Sequence, residues 1–108
     1  PHLSPMFRGI LSTIYLDVKK GITINHINSK LKKFYRNDSF VKILPVNTFL
    51  STNDVINTNY CHLSVCKSKN KNKIIILSAI DNLIKGGAGQ AVQNLNNYFG
   101  YNIKKGLI

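Results

Sequence analysis

An α+β domain built on a mixed, largely antiparallel sheet is the fold class this sequence predicts, in the order strand-helix-strand-strand-strand-helix. Three observations lead there. Residues 9–18 and 59–67 alternate in the period-two manner of half-buried strands, and residues 73–80 form a nearly continuous apolar run. Residues 23–36 and 85–99 instead place apolar side chains at helical spacing. Clusters of glycine, proline or asparagine separate these segments.

The first strand turns Ile10, Ile14, Leu16 and Val18 one way and Leu11, Thr13, Tyr15 and Asp17 the other, and Lys19-Lys20-Gly21 ends it. Thr23 is placed to cap a helix running to about Arg36. Its apolar stripe is Ile24, Ile27, Leu31 and Phe34, with Lys30, Lys32, Lys33 and Arg36 in water. The late lysines suit the negative end of that helix. Asn37-Asp38-Ser39 makes a turn, residues 40–44 a short strand closed by Pro45, and residues 46–58 a loop rich in Asn, Ser and Thr. The strand at 59–67 points Cys61, Leu63 and Val65 to one face. Lys69-Asn70-Lys71-Asn72 forms a hairpin tip, and the strand at 73–80 is expected to be buried on both faces. Gly86-Gly87-Ala88-Gly89 then opens the last helix, whose stripe is Ala88, Ala91, Val92, Leu95 and Phe99 and which Gly100 stops.

With 108 residues, 44% of them apolar, the chain suffices for one domain with a core and not for two. Its longest unbroken apolar stretch is residues 74–77, far short of a bilayer span, so a membrane protein is not expected. The start lacks the basic-then-apolar pattern of a secretory signal, and only two cysteines occur, which fits a reduced cytoplasmic setting. The chain begins at Pro1, from which we expect processing or a piece of a longer polypeptide.

The formal charge of +11 raises the question of nucleic acid. All the cations except Arg8 and Arg36 are lysines, whereas base and phosphate readers lean on the arginine fork. Lysine, asparagine and isoleucine are abundant together, a compositional bias whose plain meaning is a solvated basic surface. No nucleic-acid partner is expected. Cys61 and Cys66 stand an odd number apart on one strand, hence on opposite faces, and neither pair nor share a metal. His62 and Cys66 lie roughly 13 Å apart along the strand, too far for one zinc ion.

Two segments are placed to carry chemistry. In the first, residues 1–9, His2 and Arg8 sit in a stretch that Pro1 and Pro5 hold extended, immediately before a strand. The second, residues 81–90, brings glycines and an alanine to a helix start, where another backbone or a ligand can approach closely. It is neither a dinucleotide fingerprint nor a Walker loop, since its lysine precedes its glycines.

Together the two segments resemble the N-acetyl-γ-glutamyl-phosphate reductase family. Pro1-His2-Leu3, Pro5-Met6 and Arg8-Gly9-Ile10-Leu11-Ser12-Thr13-Ile14-Tyr15 are similar to its histidine motif. Asp81-Asn82-Leu83-Ile84-Lys85-Gly86 through Asn96, with Phe99-Gly100 and the closing Gly106-Leu107, are similar to its C-terminal helix and tail. Gly87 stands where alanine is more usual. The resemblance covers essentially the whole chain and implies the C-terminal part of a catalytic, subunit-contacting domain. It implies reduction of an acyl phosphate with NADP as cofactor, a small-molecule substrate, an N-terminal Rossmann domain on the same polypeptide, and a homo-oligomer. His2 matches the catalytic histidine, and imidazole changes charge near neutral pH, as an acid/base must. Arg8 is implied to hold the substrate's phosphate or carboxylate, and Asn82, Gly86 and Gln90 to line the nicotinamide side of the cofactor. The family's nucleophilic cysteine lies upstream of the histidine motif, so Cys61 and Cys66 do not correspond to it, and this segment alone is expected to be inactive.

Two alternatives remain open from the residues: a stand-alone basic module binding RNA through residues 23–36, and a degenerate subunit that keeps only oligomer contacts. The last helix is expected to pack on the Rossmann domain, which leaves its apolar stripe bare in the isolated chain. Light scattering at high protein concentration should therefore show self-association, and a clean monomer would count against a bare stripe.

Overall fold

The computed structural model describes residues 1–108. Four strands form one sheet in the order β1-β4-β3-β2: β1 (Ile10–Asp17), β2 (Val41–Ile43), β3 (Cys61–Lys67) and β4 (Lys73–Ile80). Both β1 and β3 run antiparallel to β4, whereas β2 lies parallel to β3, so the sheet is mixed and largely antiparallel, as expected. No helix is long and apolar enough to cross a membrane.

Register divides the side chains between two faces. Ile10, Ile14 and Leu16 share one face with Ile74, Ile76 and Ile80 and with Leu63 and Val65. On that side α1 (Ile24–Phe34) packs over β2 and β3, with Ile24 beside Lys67 and Ile74 in a groove at one end. The other face carries Leu11, Thr13, Leu77, Ala79, Ser64 and Cys66. There the first residues and the loop before β3 lie across the sheet: His2 reaches Thr13, and Cys66 Sγ contacts the Thr48 carbonyl. One helix and two loops do not cover a four-stranded sheet. In β4, expected to be buried on both faces, only Ile74 and Ala79 are fully enclosed, and Ile14 on β1 stays largely open.

Thr23 caps α1 as expected, its hydroxyl accepting from the His26 N–H while His26 Nδ1 accepts from the Thr23 N–H. The stripe facing the sheet differs from the one expected. Asn28 is buried and donates to the Leu44 carbonyl, Tyr35 is half-buried, and Phe34 is 79% exposed. Residues 24, 27, 28, 31 and 35 share one side of an α-helix, and position 34 lies past its edge. Polarity thus misassigns the stripe by one position. Asn28 belongs inside because β2, parallel and only three residues long, leaves the Leu44 carbonyl to be satisfied from the helix.

The last helix, α2 (Gly89–Tyr98), is shorter than expected because a π-type turn over Ile84–Ala88 precedes it, with Gly87 in a non-helical conformation. Gly100 ends it at φ 67°, in the left-handed region. Its inward face is polar. Gly89 and Asn96 are buried, Gln93 Oε1 accepts from Asn59 Nδ2 at 2.8 Å, and Asn96 Nδ2 donates to the Ile103 and Lys105 carbonyls. Val92, Leu95 and Phe99 point outward, with Leu95 52% exposed.

Gly89 permits this approach. A Cβ there would stand 2.5 Å from Asn59 Oδ1 and 2.5 Å from Ile84 Cγ2. Because Asn59 is enclosed and cannot give way, Gly89→Ala should destabilise the domain by about 1–3 kcal/mol, the usual range for overpacking. Urea unfolding measures it, and a change within experimental error would show that α2 is free to lift off.

Candidate functional site

The two segments singled out in the sequence meet at one end of the sheet. Arg8 Nη2 donates to Asp81 Oδ2 at 2.5 Å, and the Gly9 N–H donates to Asn82 Oδ1 at 2.7 Å, contacts that span seventy-three positions of chain. The register explains the meeting. Antiparallel pairing sets Ile10 opposite Ile80, so the residues just before β1 and just after β4 emerge side by side. Gly9 fits there because its φ is 98° and a Cβ would stand 2.7 Å from Thr52 Cβ.

Asp81 is the centre of this junction. Its side chain is 0% exposed. Besides Arg8, its Oδ2 accepts from the Asn57 N–H at 2.8 Å, and Oδ1 accepts from the N–H groups of Leu83 at 2.8 Å and Ile84 at 3.0 Å. Burial alone would push the carboxyl up, but the Arg8 guanidinium and these three backbone donors outweigh it and hold the pKa down to about 2. The sequence reading did not single out Asp81. The signal was available: one of only four acids sits at the end of the most apolar strand in a chain of +11, where a carboxylate needs a partner.

His2 lies on the second face of the sheet. Its N–H donates to the Leu11 carbonyl at 2.9 Å, and its Nε2 stands 2.6 Å from Thr13 Oγ1. The ring borders an open groove of about 320 Å³ lined by Ser4, Met6, Leu11, Leu50, Ser51 and Thr52. Arg8, Asn82, Gly86 and Gln90 do not line that groove. Arg8, expected to be a substrate ligand, is already paired inside the fold. Its Nε is buried without a partner, and 32% of the side chain remains exposed, which leaves part of the guanidinium for an outside anion.

Asn82 uses its Oδ1 on Gly9, while its Nδ2 makes no hydrogen bond within the chain. Gln90 donates from Nε2 to Asn94 Oδ1 at 2.9 Å and keeps its Oε1. Gly86 is exposed, its N–H donating to the Asp81 carbonyl, and a Cβ there would meet Ile80 Cδ1 at 3.3 Å. One amide donor, on Asn82, and one amide acceptor, on Gln90, are thus left without partners in the chain, the donor and acceptor types that a carboxamide would need. Cys61 and Cys66 stay apart on opposite faces of β3, bonded to Ser78 and to Ser64 and Thr48 respectively. Burial pushes the Cys61 thiol up, with the Ser78 bond only partly offsetting it, which keeps the sulfur protonated and a poor nucleophile.

The geometry is thus a mixed four-stranded sheet with half-covered apolar faces, at one end of which the histidine segment and the glycine turn are laced together. The chain belongs to the semialdehyde dehydrogenase dimerisation-domain family, whose description "Semialdehyde dehydrogenase, dimerisation domain" matches residues 1–82. It is 48% identical over 107 residues to the N-acetyl-gamma-glutamyl-phosphate reductase of Clostridium kluyveri, covering 99% of this chain and 31% of that protein. It is 47% identical over 100 residues to the enzyme of that name from Thermoanaerobacter pseudethanolicus, covering 93% of this chain and 29% of that one. With that of Vesicomyosocius okutanii it shares 47% over 107 residues, 99% of this chain and 30% of the relative. The chain therefore spans just under a third of the length of these curated relatives. The family is one of dehydrogenases, a class that works with a nicotinamide cofactor.

Asp81 sets the acid limit of the fold. Its folded pKa of about 2 lies below the ordinary value of 3.8, so its contribution is complete above pH 4 and fades as pH falls towards 2. The shift corresponds to about 2 kcal/mol. Stability measured from pH 5 to pH 2 should drop by that order, and Asp81→Asn should flatten the drop. The other three acids are exposed, so an undiminished acid limb in the variant would remove Asp81 from this role.

Proposed function

We propose that this chain is the C-terminal catalytic part of a cytoplasmic, NADPH-dependent reductase that converts N-acetyl-γ-glutamyl phosphate to the semialdehyde and inorganic phosphate. The observation that carries the reading is the lacing of the histidine segment to the glycine turn by the Arg8–Asp81 and Gly9–Asn82 contacts. A solvated surface domain has no need to bind these two segments together. The high identity to proteins named for that reaction supports the same reading.

In this proposal a cysteine outside this chain carries the acyl group as a thioester, and the nicotinamide cofactor supplies the hydride. His2 moves the proton. With Nε2 held against Thr13 Oγ1, the other ring nitrogen is free to give a proton to the oxygen that gains charge at the acyl carbon. Arg8 holds the substrate's phosphate or carboxylate with the N–H donors that Asp81 does not use. Asn82, Gly86 and Gln90 take the nicotinamide side of the cofactor. The outward stripe of α2 packs on the N-terminal Rossmann domain of the same polypeptide, and the half-covered sheet meets other subunits in a homo-oligomer.

In the full-length enzyme, His2→Asn should lower kcat by about 10²–10⁴-fold, the usual contribution of a general acid/base, with little change in KM. Following NADPH absorbance with the acyl phosphate as substrate gives both constants. Unchanged turnover would favour a degenerate subunit kept for its contacts.

A further inference from the structure

We infer that Asp81 is the positioning residue of the candidate site, one enclosed carboxylate that orients the Arg8 guanidinium and the Asn82–Gly86 turn together. The inference rests on the proposed function and extends it to a residue that touches neither substrate nor cofactor.

With no exposed surface, Asp81 acts only through its neighbours. Both carboxylate oxygens are fully engaged: Oδ2 by Arg8 and Asn57, Oδ1 by Leu83 and Ile84. Its own carbonyl accepts from the Gly86 N–H at 2.9 Å. Every one of these donors lies in, or supports, a segment assigned to the site. Arg8 belongs to the histidine segment, and Leu83, Ile84 and Gly86 form the glycine turn. Asn57 closes the loop over the His2 face and is itself held in the left-handed region at φ 63°.

Rotation of the guanidinium is blocked from one side, because Nη2 is fixed on Asp81 and Nε is enclosed. The donors left for an anion therefore point in one direction. The turn is fixed by the same oxygens, since a carboxylate that accepts the N–H groups of the second and third residues after it imposes their conformation. Asn82 lies inside this Asp81–Ile84 loop and is tied to Gly9 as well. Removing the charge at position 81 thus loosens the anion holder and the cofactor turn at once. Removing the fork at position 8 loosens only the first.

The test uses the full-length protein with Asp81→Asn and Arg8→Lys. Michaelis constants are measured for the acyl phosphate and for NADPH, and hydrogen exchange is followed by mass spectrometry over residues 7–11, 55–58 and 82–87. Asp81→Asn should raise both constants about tenfold and speed exchange in all three segments, while β3 stays protected. Arg8→Lys should raise the acyl-phosphate constant alone. Unchanged constants with a maximal rate reduced in proportion to lost folded protein would make Asp81 merely structural and overturn the inference. So would an effect of Asp81→Asn on one constant only. If the wild type does not reduce the acyl phosphate, the proposed function fails and exchange decides the positioning claim: unaltered protection in the three segments overturns it. If Asp81→Asn does not fold, Arg8→Lys bears the test, and an equal rise in both constants overturns the separation of roles.

Discussion

The approach to β1 and the exit from β4 are closed on each other by a single enclosed carboxylate, and most of the remaining architecture is arranged around that closure. The interior is too small to do this by apolar packing alone. Only six apolar side chains are fully buried, against five polar ones, Asn28, Asn59, Ser64, Asp81 and Asn96. Desolvation offsets part of the attraction in such a pair, and breaking it is costly because the enclosed carboxylate then loses its partner. Arg8 and Asp81 therefore strengthen the closure and at the same time fix one arrangement of their segments. The other buried polar groups work alike: Asn28 secures α1 to the strand end at Leu44, and Asn59 and Asn96 secure α2 and the segment after it.

This use of polar groups inverts the last helix. An amphipathic helix ordinarily buries its apolar stripe. Here Gly89, Gln93 and Asn96 face the domain and Val92, Leu95 and Phe99 face outward. Tyr98, Phe99 and Tyr101 continue the outward surface as packed rings, 5.0 Å and 5.9 Å between successive centroids. The sheet shows the same economy, with α1 over β2 and β3 and Ile14 left open on β1. Both features suit a unit whose apolar surface is shared with something outside it.

Much of this is legible in the sequence itself, for physical reasons that can be stated. Period-two alternation over 9–18 and the apolar run at 73–80 identify β1 and β4, because strands long enough to repeat betray their period. Thr23 and Gly100 mark helix ends through local chemistry alone. Three features were not legible. The parallel pairing of β2 depends on where a loop returns the chain, which no residue of a three-residue strand records. Phe34 and Asn28 exchange places because a backbone carbonyl on another element, Leu44, selects the amide. Arg8 reads as a free ligand until its partner, far along the chain, is brought beside it. The two candidate segments are visible as motifs, whereas the contacts that join them, Arg8–Asp81 and Gly9–Asn82, belong to the sheet register.

The antiparallel pairing of β1 with β4 also sets the length of chain that must be closed to complete the sheet. The β3–β4 hairpin closes over a few residues, whereas β1 meets β4 with α1, β2 and β3 lying between them in the chain. Non-local pairings of this kind are slow, since the loop entropy is lost before the contacts reward it. The strand with the longest loop to close is the one that follows His2 and Arg8 in the chain. Any ligand that recognises the two candidate segments together therefore binds only the chain in which β1 is paired, and draws the population towards that fold.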